Sequence, residues 1–461
     1  MATVPYFVIS PNTVLSLVGL VHGPDKTEPT PAEDWRQAVV DVVIPARNEQ
    51  ANIVLALECL LQQTLKPRKV VLVDDGSEDH TVEYAQRFAA ENGLALEVIR
   101  RAHSIGKTPT IKRQSRESDA DVELVLDADT VLVEGNYIER LVQELYQGVG
   151  IASACGVVQP MREKDRRARI QGERIASFLQ HNPDVSLYQP AGTWWHRFNR
   201  NITNLYRGEL YAFLQRFVYR GQMMTFGSIT NPVGCAVAYR RKYIKDLFDT
   251  YEPILGDDLT NSEDIFIGFA LIHRGYRNIQ VQDVTALSLE PEATNLPKQI
   301  YLWSSSFLQS CYYFDDLMRS PFKSWRRWRH RQAEKHNPEL QEKRKIKEAY
   351  RQPFGEEFTR QYGRPMGWVL FMSAFEKVSF PTVILIMILL QWWMPLLITL
   401  AAETTLSVGL MAALTPKERV RTAIKGILMT PIRYMSLLYD MVTIGRFATD
   451  LWLTGNRKWR K

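Results

Sequence analysis

The sequence has little cysteine, and what it has is scattered. Cys59, Cys155, Cys235 and Cys311 are the four in 461 residues, with no Cys-x-x-Cys pair and no histidine at zinc-ligand spacing. That excludes a disulfide scaffold and a zinc finger, and it points to reduced, mostly buried thiols in a cytoplasmic setting. Net charge is also small: 57 Lys and Arg against 51 Asp and Glu leave +6, so where the basic residues cluster matters more than their sum. No glycine-rich fingerprint follows the first strand-like run, where residues 45–49 hold no glycine, and this excludes a dinucleotide oxidoreductase. The apolar stretch 4–21 has no basic start and no small-residue cleavage site, and it contains Pro11 and Asn12. It does not read as a secretory signal. Because roughly 20 residues are needed to span a bilayer, residues 1–37 are expected to form an apolar segment, inserted in a membrane or lying at its interface.

What is present is an alternation. Short β-branched runs at 39–44, 70–73, 96–99, 122–126 and 151–158 are separated by stretches such as 51–61 and 82–88 with apolar residues at helical spacing. This is the pattern of a mostly parallel, Rossmann-like α/β sheet with helices on both faces. Ligands of such sheets sit at the carboxyl ends of the strands, and the residues there are unusually polar: Pro45-Ala46-Arg47-Asn48-Glu49, Asp74-Asp75-Gly76-Ser77 and Asp127-Ala128-Asp129. An aromatic-rich, helical insertion follows at 162–221, carrying Trp194, Trp195, Tyr206, Tyr211, Phe213, Phe217 and Tyr219. Then come a turn at 231–236 leading into a strand, an acidic segment at 256–264, and a helix at 265–273 closed by Gly275.

The composition changes after residue 318. Residues 319–351 hold 12 Lys and Arg against 4 Asp and Glu, whereas 378–402 carry no charge at all. Together with 366–375 and 404–415, this is long enough for two membrane spans bent at 391–395, with Trp392 and Trp393 suited to an interface. Basic residues flank both sides, which places both flanks in the cytoplasm and makes the number of crossings even. Residues 424–453 mix apolar runs with Arg433, Asp440, Arg446 and Asp450 and read as interfacial helices. The expected divisions are 1–37, 38–160 (first half of the α/β domain), 161–318 (its second half, with the insertion), 319–365 (basic connector), 366–415 (membrane hairpin) and 416–461 (interfacial helices). The basic and aromatic run 323–331, with Trp325 and Trp328, lies beside the hairpin and suits anionic lipid headgroups rather than nucleic acid. Asn201-Ile202-Thr203 is a chance glycosylation sequon in a cytoplasmic domain.

Each acidic motif is ambiguous alone. Asp127 and Asp129 after a buried strand can hold Mg²⁺ or Mn²⁺ with diphosphate oxygens, or be a solvated loop. Asp74-Asp75-Gly76-Ser77 can bind a base or ribose, or make an ordinary turn. Ser262-Glu263-Asp264 can supply a general base or cap a helix. The insertion's aromatics can stack on sugars, rest on a membrane, or pack its helices.

In their order, however, these motifs resemble one family. From Val43-Ile44-Pro45-Ala46-Arg47-Asn48-Glu49 through Asp74-Asp75-Gly76-Ser77, Asp127-Ala128-Asp129, Gly234 to Arg241, Ser262-Glu263-Asp264 and Gly275-Tyr276-Arg277, the chain resembles the family 2 glycosyltransferases with the GT-A fold. The resemblance covers about residues 38–303. It implies that Pro45, Asn48, Glu49, Asp74, Asp75, Lys107 and Asp127 bind the nucleotide, and that Asp127 and Asp129 hold the diphosphate and its metal. Asp264 is then the general base with Glu263 beside it, and Gly234, Gln299 and Trp303 face the acceptor. The extra pair Asp257-Asp258 reads as an acidic loop, since Asp264 has the family's spacing to Gly275. Such enzymes invert the anomeric centre by single displacement, most often from a UDP-sugar.

The similar hyaluronan, chitin and cellulose synthases carry Gln-x-x-Arg-Trp before their membrane helices. Here the segment is Gln299-Ile300-Tyr301-Leu302-Trp303, and Leu302 takes the place of a guanidinium suited to diphosphate. Donor anchoring must then be weaker or come from elsewhere, which weighs against processive synthesis. The expectation is a multi-pass enzyme of the cell membrane, its catalytic domain cytoplasmic, extending a saccharide of the cell surface or exopolysaccharide, with self-association or an export partner to complete a conduit. The alternative is transfer of one sugar to a lipid or lipid-linked acceptor. A scaffold that binds nucleotide-sugar without turnover would have lost an acidic residue, and none is lost.

Overall fold

The computed structural model describes residues 10–23, 33–148, 150–187, 193–255, 262–335 and 354–455. Its centre is one eight-stranded sheet in the order β3-β2-β1-β4-β7-β6-β8-β5. β1 (Val40–Ala46), β2 (Lys69–Asp74), β3 (Leu96–Arg100) and β4 (Val122–Leu126) are the β-branched runs read from the sequence. β1, β2 and β4 are buried along nearly their whole length, as strands covered on both faces must be. They run parallel, with Val43 opposite both Val71 and Val125, so Ala46, Asp74 and Leu126 end at one edge of the sheet. Helices α2 (Ile53–Leu61), α3 (Thr81–Asn92) and α4 (Lys107–Glu117) make the crossovers.

Beyond β4 the sheet is mixed. β5 (Thr130–Leu132), α5 (Tyr137–Tyr146) and β6 (Ile151–Pro160) come next in the chain. β7 (Ala236–Arg240) returns after the insertion and enters between β4 and β6, antiparallel to both, while β8 (Arg277–Ser288) runs parallel to β6 and antiparallel to β5. Four of the seven pairings are therefore parallel. A strand that comes back from the strand-end side can only pair in reverse, which is why the parallel pattern stops here. Because β7 lies between two strands of the earlier half, the boundary read at residue 160 falls inside a single sheet. Gly156 on β6 is required by contact: a Cβ there would lie 2.6 Å from the Tyr137 ring and 2.7 Å from the Val284 carbonyl oxygen.

The insertion is helical: α6 (Glu163–Ile170), α7 (Glu173–His181), α8 (Trp194–Phe213) and α9 (Arg220–Phe226). Its aromatics divide into two groups. Tyr206, Tyr211, Phe213, Phe217 and Tyr219 belong to the core, whereas Trp194 and Trp195 stack on Phe198 in the open. Short helices α10 (Arg241–Ile244) and α11 (Leu247–Leu255) precede α12 (Glu263–His273), then α13 (Leu296–Tyr313), α14 (Asp315–Met318), α15 (Ser324–Lys335) and α16 (Glu356–Tyr362).

Among the described residues, two helices are long and apolar enough to cross a membrane, α17 (Gly367–Leu389) and α18 (Trp393–Leu414). At 23 and 22 residues each is about 33–35 Å long, against about 30 Å of bilayer core. The bend falls where the sequence placed it, at Gln391, whose φ of +56° turns the chain back. Leu389, Met394, Leu397 and Ile398 face outward. α15 adjoins the start of α17, Trp368 Nε1 donating to Ser324 Oγ at 3.0 Å, and it presents Trp325 and Trp328 stacked and exposed among its arginines.

α19 (Arg419–Thr449) is one continuous helix of 31 residues, where the sequence suggested several interfacial ones. It packs on α18, α13 and α8. Arg433 and Asp440, read as marks of a water interface, point inward. Arg433 pairs with Glu403 of α18, and Asp440 with Lys377 of α17 and Ser304 of α13. Ile424, Leu428, Met435 and Val442 face outward instead. α1 (Pro11–His22) has the same inverted character: Asn12, Thr13 and Ser16 are buried against α9 and α17, and Val14, Val18 and Val21 are exposed. Its 12 residues reach only about 18 Å, short of a crossing.

Candidate active site

Pro45, Glu49, Asp75, Lys107, Asp127 and Asp129 line one cleft of about 250 Å³ at the carboxyl ends of β1, β2 and β4, with Ala46, Arg47, Gly106 and Ala128 between them. A larger hollow of about 670 Å³ lies between α3 and α7, away from the strand ends. Parallel register brings the six together, since each follows or neighbours a strand that stops at the same edge.

Asn48 and Asp74 stand behind the cleft wall. Asn48 adopts the left-handed conformation at φ +57°, its N–H donating to Ser77 Oγ at 2.9 Å while its side-chain oxygen accepts from Glu78 N at 2.9 Å. Asp74 accepts from Ser77 N at 3.1 Å. Both shape the turn after β2. Asp75 holds the next loop: one oxygen accepts from Arg101 and Ile105 N at 2.9 and 3.0 Å, the other from Ser104 Oγ and Gly106 N at 2.6 and 2.9 Å. Burial would raise its pKa, but the hydrogen bonds from Ser104, Ile105, Arg101 and Gly106 outweigh it and hold the carboxyl below the ordinary value.

Lys107, first residue of α4, joins the two acidic motifs. Its Nζ lies 2.6 Å from Asp127 and 2.9 Å from Glu263, and donates to the Gly234 carbonyl at 3.0 Å. Burial alone would lower its pKa, yet the charges of Asp127 and Glu263 carry it well above the usual lysine range. On the other side of the same residue, Gly234 N donates to Asp264 Oδ2 at 3.1 Å. Asp264 Oδ1 accepts from Ser262 Oγ at 2.5 Å and from Ile265 N at 2.9 Å. A Cβ at 234 would stand 2.8 Å from Asp264 Oδ2, so only glycine lets the carboxylate this close. The turn after β4 is fixed to this loop as well, Asp127 N donating to the Cys235 carbonyl at 2.8 Å.

Asp129 sits in a row of carboxylates. Burial first, then the charges of Asp127, Glu49 and Glu290, raise its pKa well above the carboxylate range. Glu49 is raised likewise, by burial and by Asp127 and Asp79. Such mutual repulsion is what a bound cation relieves. Among the described residues no three His, Cys, Asp or Glu side chains close around one point. Two carboxylates completed by phosphate oxygens would suit Mg²⁺ and similar hard ions.

The strand-end carboxylates and Lys107 lie in a stretch whose sequence is similar to a known family. The family model described as "Glycosyl transferase family 2" covers residues 41–248. Residues 41–248 are thus similar to a glycosyltransferase family 2 domain. An undecaprenyl-phosphate 4-deoxy-4-formamido-L-arabinose transferase of Pseudomonas paraeruginosa is 31% identical over 36% of this chain and 48% of its own length. An N-acetylglucosaminyltransferase of Bradyrhizobium diazoefficiens is 24% identical over 62% of this chain and 50% of its own. The chain thus spans about half the length of these curated relatives. A solved mannosyltransferase of Pyrobaculum calidifontis, in complex with GDP-Man and Mn²⁺, aligns over 96% of this chain and 94% of its own at 16% identity, with a TM-score of 0.49.

Two residues in or behind this cleft region escaped the sequence reading. Glu290 follows β8 and lies beside Asp129, Leu289 N donating to the Asp129 carbonyl at 3.2 Å; Tyr211 donates to its carboxylate at 2.7 Å. Its signal was available, since Glu290 follows a β-branched run just as Asp127 does. Arg207 of α8 is the other. Gln299 and Trp303, read as acceptor residues, share one face of α13 and both touch Arg207. Asp257 and Asp258 lie outside the described residues.

Proposed function

We infer that the chain is a membrane-bound, inverting glycosyltransferase that moves a sugar from a nucleotide-sugar, UDP-linked by resemblance, to an acceptor presented at the bilayer face. The observation that carries this reading is the single Lys107 side chain binding Asp127 of the strand-end motif, Glu263 of the second motif and the Gly234 carbonyl at once. It supports a reading in which a diphosphate would bind on one side of residue 234 and a proton-accepting carboxylate, Asp264, would act on the other.

In this mechanism the nucleotide enters between Pro45, Glu49 and the Asp75 loop. Asp127 and Asp129 would hold Mg²⁺ or Mn²⁺, which when bound neutralises charge on the departing diphosphate. Lys107 changes partners, exchanging a carboxylate for a phosphate oxygen. Asp264 Oδ2 keeps a lone pair beyond its bond to Gly234 N and takes the proton of an attacking hydroxyl as the new glycosidic bond forms. An acceptor that attacks through an ionised phosphate needs no such base.

The lipid-linked acceptor is the reading we favour, with the catalytic domain on the cytoplasmic side of a cell membrane and the hairpin α17–α18 inserted in it. Two apolar helices make a poor conduit for a polymer, Leu302 removes a residue of the processive pattern, and a relative is named for transfer to undecaprenyl phosphate. Purified protein given UDP- and GDP-sugars, Mn²⁺, and either a polyprenyl phosphate or a saccharide acceptor tests this directly. Sugar appearing on the lipid supports the reading; product only on the saccharide, growing in length, replaces it with polymer synthesis.

A further inference from the structure

Arg207 is a buried cation that the site as described leaves without a task. It is 1% exposed, and its surroundings come from separate parts of the chain. Its guanidinium carbon lies 4.2 Å from the centre of the Trp303 ring. Its Nη2 donates to Gln299 Oε1 at 2.7 Å. Glu290 is 3.7 Å from Nε, beyond hydrogen-bond reach, and Nε has no hydrogen-bond partner. Contrast Arg68, which is bound by both oxygens of Asp41 at 2.9 and 2.6 Å. A guanidinium has five N–H donors in a rigid fork, and leaving one buried and unused is costly.

Its position indicates what the unused donors face. Glu290 accepts from Tyr211 and adjoins Asp129 through the pairing of β8 with β5, Ser288 opposite Thr130. Arg207 therefore stands one side chain behind the strand-end carboxylates, while Lys107 stands against Asp127. Stacking on an indole and a bond to a neutral carboxamide fix the plane of the fork, and Glu290 at 3.7 Å balances its charge without engaging the Nε–H donor. That is the preparation for a planar, two-oxygen contact with an anion, and for a phosphate above others.

We propose that Arg207 binds a phosphate group of the transferase's ligands, held for that purpose by Trp303 and Gln299, and so supplies from α8 the guanidinium that Leu302 leaves missing from α13. The proposal rests on the transferase reading above. The phosphate has two sources, the diphosphate of the donor or the phosphate of a lipid acceptor.

The experiment uses the full chain in detergent. UDP and GDP are titrated against UMP and GMP, and separately a short-chain polyprenyl phosphate, into wild type, Arg207→Gln, Arg207→Lys and Trp303→Leu, with thermal melting to confirm that each is folded. For a donor contact, Arg207→Gln weakens diphosphate binding about 10- to 100-fold and leaves monophosphate binding nearly unchanged, and Arg207→Lys recovers part of the loss. The same loss confined to the polyprenyl phosphate assigns the contact to the acceptor. A folded Arg207→Gln that binds every probe like wild type overturns the proposal. If Arg207→Gln does not fold, Trp303→Leu decides: it frees the fork without removing its charge, so lowered diphosphate or polyprenyl phosphate affinity supports the proposal and wild-type affinity refutes it. Wild type that binds no nucleoside diphosphate overturns the transferase reading, and this proposal with it.

Discussion

Gly234→Ala is the sharpest small perturbation of this site. The added methyl would lie 2.8 Å from Asp264 Oδ2 and 2.9 Å from its Cβ and Cγ, more than half an ångström inside ordinary contact. Asp264 cannot turn away without losing Ser262 Oγ and Ile265 N. The residue-234 loop must move instead, and it carries the Lys107 bond on its carbonyl. Gly234 is not among the positive-φ residues, so the cost is one of space rather than backbone strain. Overpacking of this kind costs about 1–3 kcal/mol, partly offset by about 0.4–1 kcal/mol from a stiffer unfolded chain. A net 1–2 kcal/mol lowers Tm by a few degrees at about 2–4 °C per kcal/mol. Turnover should fall further, since the shift moves both Asp264 and the carbonyl that holds Lys107, and displacing a reacting or phosphate-binding group by about 1 Å costs about 100-fold. The assay is nucleoside diphosphate release beside donor binding: kcat down 10- to 100-fold, affinity for the donor within about threefold. Unchanged turnover in Gly234→Ala would show that Asp264 and its loop are not placed for catalysis.

Three further outcomes are expected. Glu123 is fully buried in β4; burial raises its pKa to about 8, with Arg241 opposing and Asp41 adding to the effect. The folded state then keeps a proton that the unfolded state releases between about pH 4.5 and 8, so stability is present below that window and lost as pH rises through it. Glu123→Gln should therefore gain on wild type by about 1.4 kcal/mol per pH unit across the window, and a gap in Tm that does not widen from pH 5.5 to 7.5 would contradict this. Arg433→Leu alone should destabilise by about 3–5 kcal/mol by stranding Glu403, while Arg433→Leu with Glu403→Leu recovers most of it; equal Tm values for single and double variants would count against the buried pair. Glu290→Gln removes one of the charges that raise Asp129, so Mn²⁺ binding followed by electron paramagnetic resonance should persist to lower pH than in wild type, and an unmoved acid limb would separate Glu290 from the cation site.

The strand-end half of the cleft was legible because parallel strands announce themselves: buried β-branched runs end where polar residues begin, and chemistry collects at those ends. β1, β2 and β4 and the residues after them were found this way. The side formed by α8 and α13 was harder. Arg207 reads as one charge among many on an amphipathic helix, and only contact with Trp303 and Gln299 marks it out. Arg433 and Asp440 misled for the opposite reason. A charge in an apolar run suggests water, but these two are paired with Glu403 and Lys377 inside a bundle whose apolar side faces outward, and pairing between distant helices leaves no local trace. Asn48, Asp74 and Asp75 show a subtler limit: the motif was visible, yet their hydrogen bonds go to the loops that build the pocket wall.

The most direct measurement is nucleoside diphosphate release by the purified chain in detergent, with a panel of nucleotide-sugars, Mn²⁺ and polyprenyl phosphate, comparing wild type with Asp129→Asn. The account predicts turnover of one donor, abolished by chelation of the metal and reduced at least about 100-fold in the variant. A donor that binds but is never cleaved, or an Asp129→Asn protein that turns over like wild type, would contradict it.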